Sequence, residues 1–242
     1  MKYYDELITQ WNEDIMKAGA VKLPLLNASE WPDEEEHAMI FASDMAYELG
    51  GLKSYARGAS AVTEDASLVP EDEILLVGPD IGNISGEVPY ARITQVRFTP
   101  DKFGEGEALY AAVRKIEFAR YHVAPKDCMF RISAMNDRES LRIGKKAVAD
   151  GLSFAHIGAH YIRTLKSQGH VEAVRMIFIT DPAYDYAGLR VQMEKNKQIT
   201  GAIDHIFKDA SIMDCKACSL QEVCEEVEGL RELHFGRGAS PS

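Results

Sequence analysis

Apolar and polar positions alternate along this chain with two different periods, and the period changes several times. Tyr3 to Ala18 carries the three-and-four spacing of an amphipathic helix, and a loop follows through "KLPLLNASEWPDEEE". A second helix is expected from Glu35 to Leu49, stopped by Gly50-Gly51, a strong C-terminal signal. Residues 53–62 carry a weak strand pattern. Ile74 to Val77 is a short apolar run closed by Gly78-Pro79, as expected of a buried strand. "ARITQVRF" reads as a strand with Ile93, Val96 and Phe98 as its apolar content. Glu107 to Tyr121 reads as a long helix and "CMFRISA" as a strand. Ser140 to Lys166 reads as one or two helices broken near Gly151. "RMIFITD" is the clearest strand and ends in Asp181-Pro182, with helical patterns over Ala183–Lys197 and Ile199–Phe207 after it.

Short apolar strands separated by long helical patterns predict an α/β fold: a layered sheet with helices on both faces. Strands near 74–77, 92–98, 129–134 and 175–180 are expected in one sheet. "RMIFIT" should lie centrally, because its apolar residues need cover on both sides. The organisation expected is an N-terminal helical region over 1–52, an α/β domain over 53–208, and a small cysteine-rich segment over 209–242.

Charge narrows the function classes. Hydrophobic residues make up 46% and the formal net charge is -11, so a general affinity for nucleic acid or an anionic membrane is not expected. A local group of arginines can still oppose that field and hold an anion. No apolar run is long enough to cross a bilayer, and acids occupy "MKYYDELITQW" where a secretory signal needs its apolar core, so a cytoplasmic location is expected.

Three of the four cysteines fall in "DCKACSLQEVCEEVEGLRELHFG", spaced Cys215-x2-Cys218-x5-Cys224-x9-His234. A Cys-x2-Cys turn brings two thiolates to one centre, and soft thiolates select zinc, iron or iron–sulfur sites. Zinc on three cysteines and a histidine, an iron–sulfur cluster, and ordinary buried cysteines all stand as readings of the spacing. Cys128 opens a strand beside Met129 and Phe130, where burial is the expected role and ligation the alternative.

This segment resembles the cluster-binding stretch of the acetyl-CoA synthase (beta) subunit family of the carbon monoxide dehydrogenase/acetyl-CoA synthase complex. "LLVGPDI" (75–81), "FAHIGAHYIRTLK" (154–166) and "RMIFITDP" (175–182) resemble successive segments of that family's middle domain, in the same order. The resemblance implies a [4Fe-4S] cluster on Cys215, Cys218 and Cys224, with His234 where the family has its fourth cysteine. It implies a role in anaerobic one-carbon or acyl-CoA metabolism, as an electron-transfer or accessory subunit. The alternatives are a metalloenzyme acting on a one-carbon or coenzyme A-linked substrate at an open cluster or nickel site, and a zinc-stabilised binding module. A protein partner in a redox or one-carbon enzyme complex is implied, with a corrinoid protein or a carbon monoxide dehydrogenase as candidates. The family's Cys-Gly-Cys nickel motif does not occur among the 242 residues, so a truncated relative is expected.

The family's middle domain is arginine-rich, which implies coenzyme A as a ligand and Arg131, Arg138, Arg142 and Arg163 as the groups holding it. His156 and His160 share a helix face, but "HIGAH" lacks the acid of a zinc-protease helix, so a core or surface role is expected. Gly78, Gly82 and Gly86 follow a strand without a helix starting at the last, so no dinucleotide fingerprint is present. Asp80 and Asp181, at strand ends, are expected to cap turns or helices.

Overall fold

The computed structural model describes residues 2–34, 46–51, 54–99, 107–133 and 138–208. Among these residues eight strands and five α-helices follow one another as α1 (Lys2–Lys17), β1 (Val21–Leu23), β2 (Ala46–Leu49), β3 (Ala56–Thr63), β4 (Glu73–Val77), β5 (Tyr90–Phe98), α2 (Glu107–Ala119), β6 (Cys128–Ile132), β7 (Glu139–Gly144), α3 (Lys145–Ala149), α4 (Phe154–Lys166), β8 (Val171–Ile179) and α5 (Tyr186–Lys208). The fold is α/β, as expected. The segment carrying Cys215, Cys218, Cys224 and His234 lies outside the described residues.

The main sheet has the order β1-β4-β8-β5-β3. β8 is central because Val174, Met176, Ile177, Phe178 and Ile179 are all fully buried, which only a strand covered on both faces allows. It runs parallel to β4 and antiparallel to β5. The register puts Ile74, Leu76, Met176 and Phe178 on one face and Leu75, Val77, Ile177 and Ile179 on the other. On the first face, Phe154 of α4 stacks on Phe178 with centroids 4.6 Å apart. Gly158 lets α4 approach that closely, since a Cβ there would lie 2.7 Å from Ile74 Cδ1. The second face is covered by α1 and α5: Gln95 donates to Asn12 at 2.9 Å and Arg57 faces Glu194 at 3.9 Å.

Four expectations need correction. Residues 129–134 were expected in the main sheet, but β6 belongs to a second, three-stranded antiparallel sheet ordered β2-β7-β6. Residues 140–144 are strand rather than helix. Leu141 and Ile143 are buried two positions apart, and this period-two stretch runs directly into the helical "KKAVA" that masks it. Residues 46–49, expected to end a helix, form β2 instead; four residues are too few for a period to show, and pairing with β7 decides them. The rest of that expected helix, 35–45, lies outside the described residues. The two helical patterns after residue 183 are one helix, α5.

The two sheets meet through a buried ion pair. Gly58, Arg92 and Phe178 are cross-strand neighbours on the face that α4 covers. Arg92 Nε donates to Glu139 Oε1 at 2.6 Å and its Nη2 to Oε2 at 2.7 Å, with both side chains 1% exposed. Its Nη1 donates to the carbonyl of Ala59 at 3.2 Å and to Thr94 Oγ1. Gly58 leaves room for the pair, since a Cβ there would lie 2.0 Å from Glu139 Oε2. Removing one partner of such a pair leaves a charge in the interior and costs about 3–5 kcal/mol. Glu139→Gln should therefore lower the unfolding free energy by that amount, read as a lower urea midpoint at unchanged slope, and Arg92→Met combined with Glu139→Leu should cost less than the single change. A cost below about 1 kcal/mol for Glu139→Gln would show that the pair does not carry this role.

Candidate functional site

Alternation along the small sheet decides which side chains it offers. Glu139, Leu141 and Ile143 face the interior, together with their cross-strand neighbours Leu49, Cys128 and Phe130. The opposite face must then carry Arg142, with Glu48 and Met129 beside it, and Arg131 beside Ser140. Arg131 Nη1 donates to Glu48 Oε1 at 2.7 Å. Arg142 donates to Glu48 Oε2 from Nε at 2.9 Å and from Nη2 at 2.5 Å. Arg138, one residue before β7, donates from Nη2 to the carbonyl of Gly50 at 2.7 Å and to that of Gly51. Three of the four arginines expected to bind an anion thus gather around the end of β2. The Glu87 carboxylate also lies against Gly51. Arg131 is half exposed and Arg142 largely covered. The fold therefore brings three guanidinium groups together on one side of the small sheet, and guanidinium is the side-chain group best shaped to hold a phosphate or carboxylate.

The fourth, Arg163, belongs to a different group. On α4 it pairs through Nη2 with Asp33, and the same nitrogen lies 3.2 Å from His160 Nδ1. His160 is fully buried, its Nε2 3.0 Å from the Trp31 carbonyl and its Nδ1 3.0 Å from Asp33 Oδ1. Nε2, facing a carbonyl, carries a proton there, and Nδ1 lies between the Asp33 carboxylate and the Arg163 guanidinium. Burial lowers the pKa of His160, and Arg163 adds to this, while Trp31 and Asp33 oppose it. Asp33 is held below the usual carboxylate range: burial opposes its ionisation, but the hydrogen bond and charge of Arg163 prevail. His156 is also lowered by burial, and its Nδ1 sits 2.8 Å from Ser153 Oγ at the start of α4. The two histidines have separate protein partners and do not converge.

Asp80 and Asp181 cap, as expected. Asp80 Oδ1 accepts from the backbone N–H of Ile81 at 2.7 Å and of Phe154 at 2.9 Å, tying the end of β4 to the start of α4. Asp181 Oδ1 accepts from Ala183 N–H at 2.9 Å. A short 3-10 turn, Ile81–Asn83, follows β4 where a nucleotide-binding fold would start a helix. Cys128 is buried in the shared core, and burial pushes its thiol pKa well up. Among the described residues no group of three or more His, Cys, Asp or Glu side chains is placed to hold a metal. No described helix is long and apolar enough to cross a membrane.

Sequence reasoning missed Glu48 and the Gly50–Gly51 carbonyls, because the segment read as helix, and Asp33, which lies in a loop. It also passed over Arg92 and Glu139. The signal for Arg92 was its place in "ARITQVRF": an arginine in a strand that buries both faces requires a carboxylate.

Because the fold favours neutral His160, the unfolded chain binds its proton first, near pH 6.5. Stability from this site is full above that pH and is lost as pH falls toward the lower folded pKa. The melting temperature should therefore drop between pH 7 and 5, and His160→Gln should flatten part of that slope. An identical slope in the variant would remove His160 from the account.

A comparison with curated proteins returns no match. The family model for CdhC, the CO dehydrogenase/acetyl-CoA synthase complex beta subunit, matches residues 34–184. That span contains β2 through β8, with the small sheet, its arginine face and α4. This chain belongs to the CO dehydrogenase/acetyl-CoA synthase complex beta subunit family.

Proposed function

We propose that this protein binds a [4Fe-4S] cluster and serves as an electron-transfer or accessory subunit in anaerobic one-carbon or acyl-CoA metabolism. The observation that carries the reading is the spacing Cys215-x2-Cys218-x5-Cys224-x9-His234, which follows the family-matched span in the chain. Three thiols and an imidazole are a donor set that suits such a cluster, and the burial of Cys128 in the core supports His234 over Cys128 as the fourth donor. The cluster, when bound, supplies one-electron transfer. Cys215, Cys218 and Cys224 would hold it as thiolates. His234 would replace an anionic ligand by a neutral one and so raise the potential, against the pull of Glu222, Glu225, Glu226 and Glu228.

The arginine face of the small sheet supports coenzyme A as the ligand of this domain, with Arg131, Arg138 and Arg142 toward its phosphates. Arg163 stands apart from that face, on α4 with Asp33 and His160. Family membership supports a protein partner within such a complex, of the carbon monoxide dehydrogenase or corrinoid type.

Anaerobic reconstitution with iron and sulfide tests the cluster. Iron and acid-labile sulfide should appear at about four each per chain, with broad absorption near 400 nm, and Cys218→Ser should lose both. His234→Cys should keep the cluster and lower its potential. Zinc alone in the anaerobically purified protein would end the proposal. For the ligand, titration with coenzyme A should show affinity falling roughly three- to tenfold in Arg131→Gln, more at low salt than at high. Equal binding by the variant would remove the arginine face from the reading.

A further inference from the structure

Two carboxylate–arginine groups adjoin β7, and they differ in what release would cost. Glu139 and Arg92 are each 1% exposed, so parting them strands a charge in the interior. Glu48 belongs to the other group, on the outer face of the small sheet. Its cross-strand neighbour is Arg142, and Arg131 reaches it from β6, beside Ser140. Glu48 Oε1 accepts from Arg131 Nη1 at 2.7 Å, and Oε2 accepts from Arg142 Nε at 2.9 Å and Nη2 at 2.5 Å. One carboxylate thus uses both oxygens on two guanidinium groups, the arrangement in which arginines hold an oxyanion ligand. The side chains are 24% exposed for Glu48, 15% for Arg142 and 49% for Arg131, so the group opens to solvent at Arg131.

Ion pairs open to solvent contribute little to stability, so Glu48 can leave its arginines at a cost that a bound anion offsets. We propose that Glu48 occupies the anion position of the arginine face and gives way there to a phosphate group of the ligand, which rests on the reading of this face as the anion site. The exchange sets the class of ligand. A carboxylate tethered to β2 competes at an effective concentration of about millimolar. A free monocarboxylate offers the same two oxygens and the same charge, and gains little by replacing it. A phosphate ester or diphosphate brings more charge and a further acceptor oxygen for the remaining N–H groups of Arg131. Glu48 therefore selects phosphates against carboxylates.

Titration of the full chain with inorganic pyrophosphate tests the exchange. Glu48→Gln should bind pyrophosphate roughly three- to tenfold more tightly than the unaltered protein, and adding Arg131→Gln should remove the gain. Acetate at equal concentration should not displace pyrophosphate from the unaltered protein. A crystal structure of the unaltered protein with pyrophosphate should place phosphate oxygens on Arg131 and Arg142, with Glu48 turned away from both; this readout does not depend on how a variant folds. Pyrophosphate binding that is unchanged, weaker or absent in Glu48→Gln would overturn the proposal, since Glu48 would then hold the arginines in place rather than compete for them. So would a gain that survives Arg131→Gln, displacement by acetate, or an anion bound with Glu48 still on both arginines. Coenzyme A is titrated separately: pyrophosphate exchanging with Glu48 while coenzyme A fails to bind would end the coenzyme A reading alone.

Discussion

An arginine on a strand covered from both sides has one acceptable arrangement, and much of this structure follows from it. Arg92 lies beside Gly58 and Phe178 in the main sheet, where its charge meets no solvent. Glu139 must come to it, and Glu139 is the first residue of β7. Placing that carboxylate in the interior sets the phase of the whole strand. Leu141 and Ile143 then face inward, and Ser140 and Arg142 face the other way. The face that gathers Arg131, Arg138 and Arg142 around β2 is thus the reverse side of the contact that satisfies Arg92. A slip of one residue in β7 would strand Arg92 and turn Arg142 into the core.

The parts of the fold that could be read from sequence are those in which local pattern and tertiary burial agree. β8 was readable as the central strand because its apolar run needs cover on both faces, and α1 because its stripe has a helical period. β7 was not, because its six residues merge with the helix after it. β2 was not, because its strand state comes from pairing with β7 rather than from "AYEL" itself. β6 was read as a strand but given to the wrong sheet, since strand propensity does not name a partner.

The candidate site divides in the same way. Arginine as an anion ligand could be guessed from composition and resemblance, but which arginines share a face depends on register. Three of the four do, and Arg163 instead joins His160 and Asp33 in a group assembled from a helix and a distant loop. Cys128 shows the opposite case. Its flanking Met129 and Phe130 already implied burial, and the structure places it in the core. The cysteine spacing stays a property of the sequence, and its chemistry rests on the donor types and on the family of the domain before it.

The dependence of the small sheet on the buried pair is most directly tested by native-state hydrogen exchange, comparing the protein with Glu139→Gln. If the pair joins the two sheets, amides of β6 and β7 should lose protection in the variant by at least about tenfold more than amides of β4 and β8, opening as a separate unit. Parallel losses in both sheets, or unchanged protection in β6 and β7, would contradict the account.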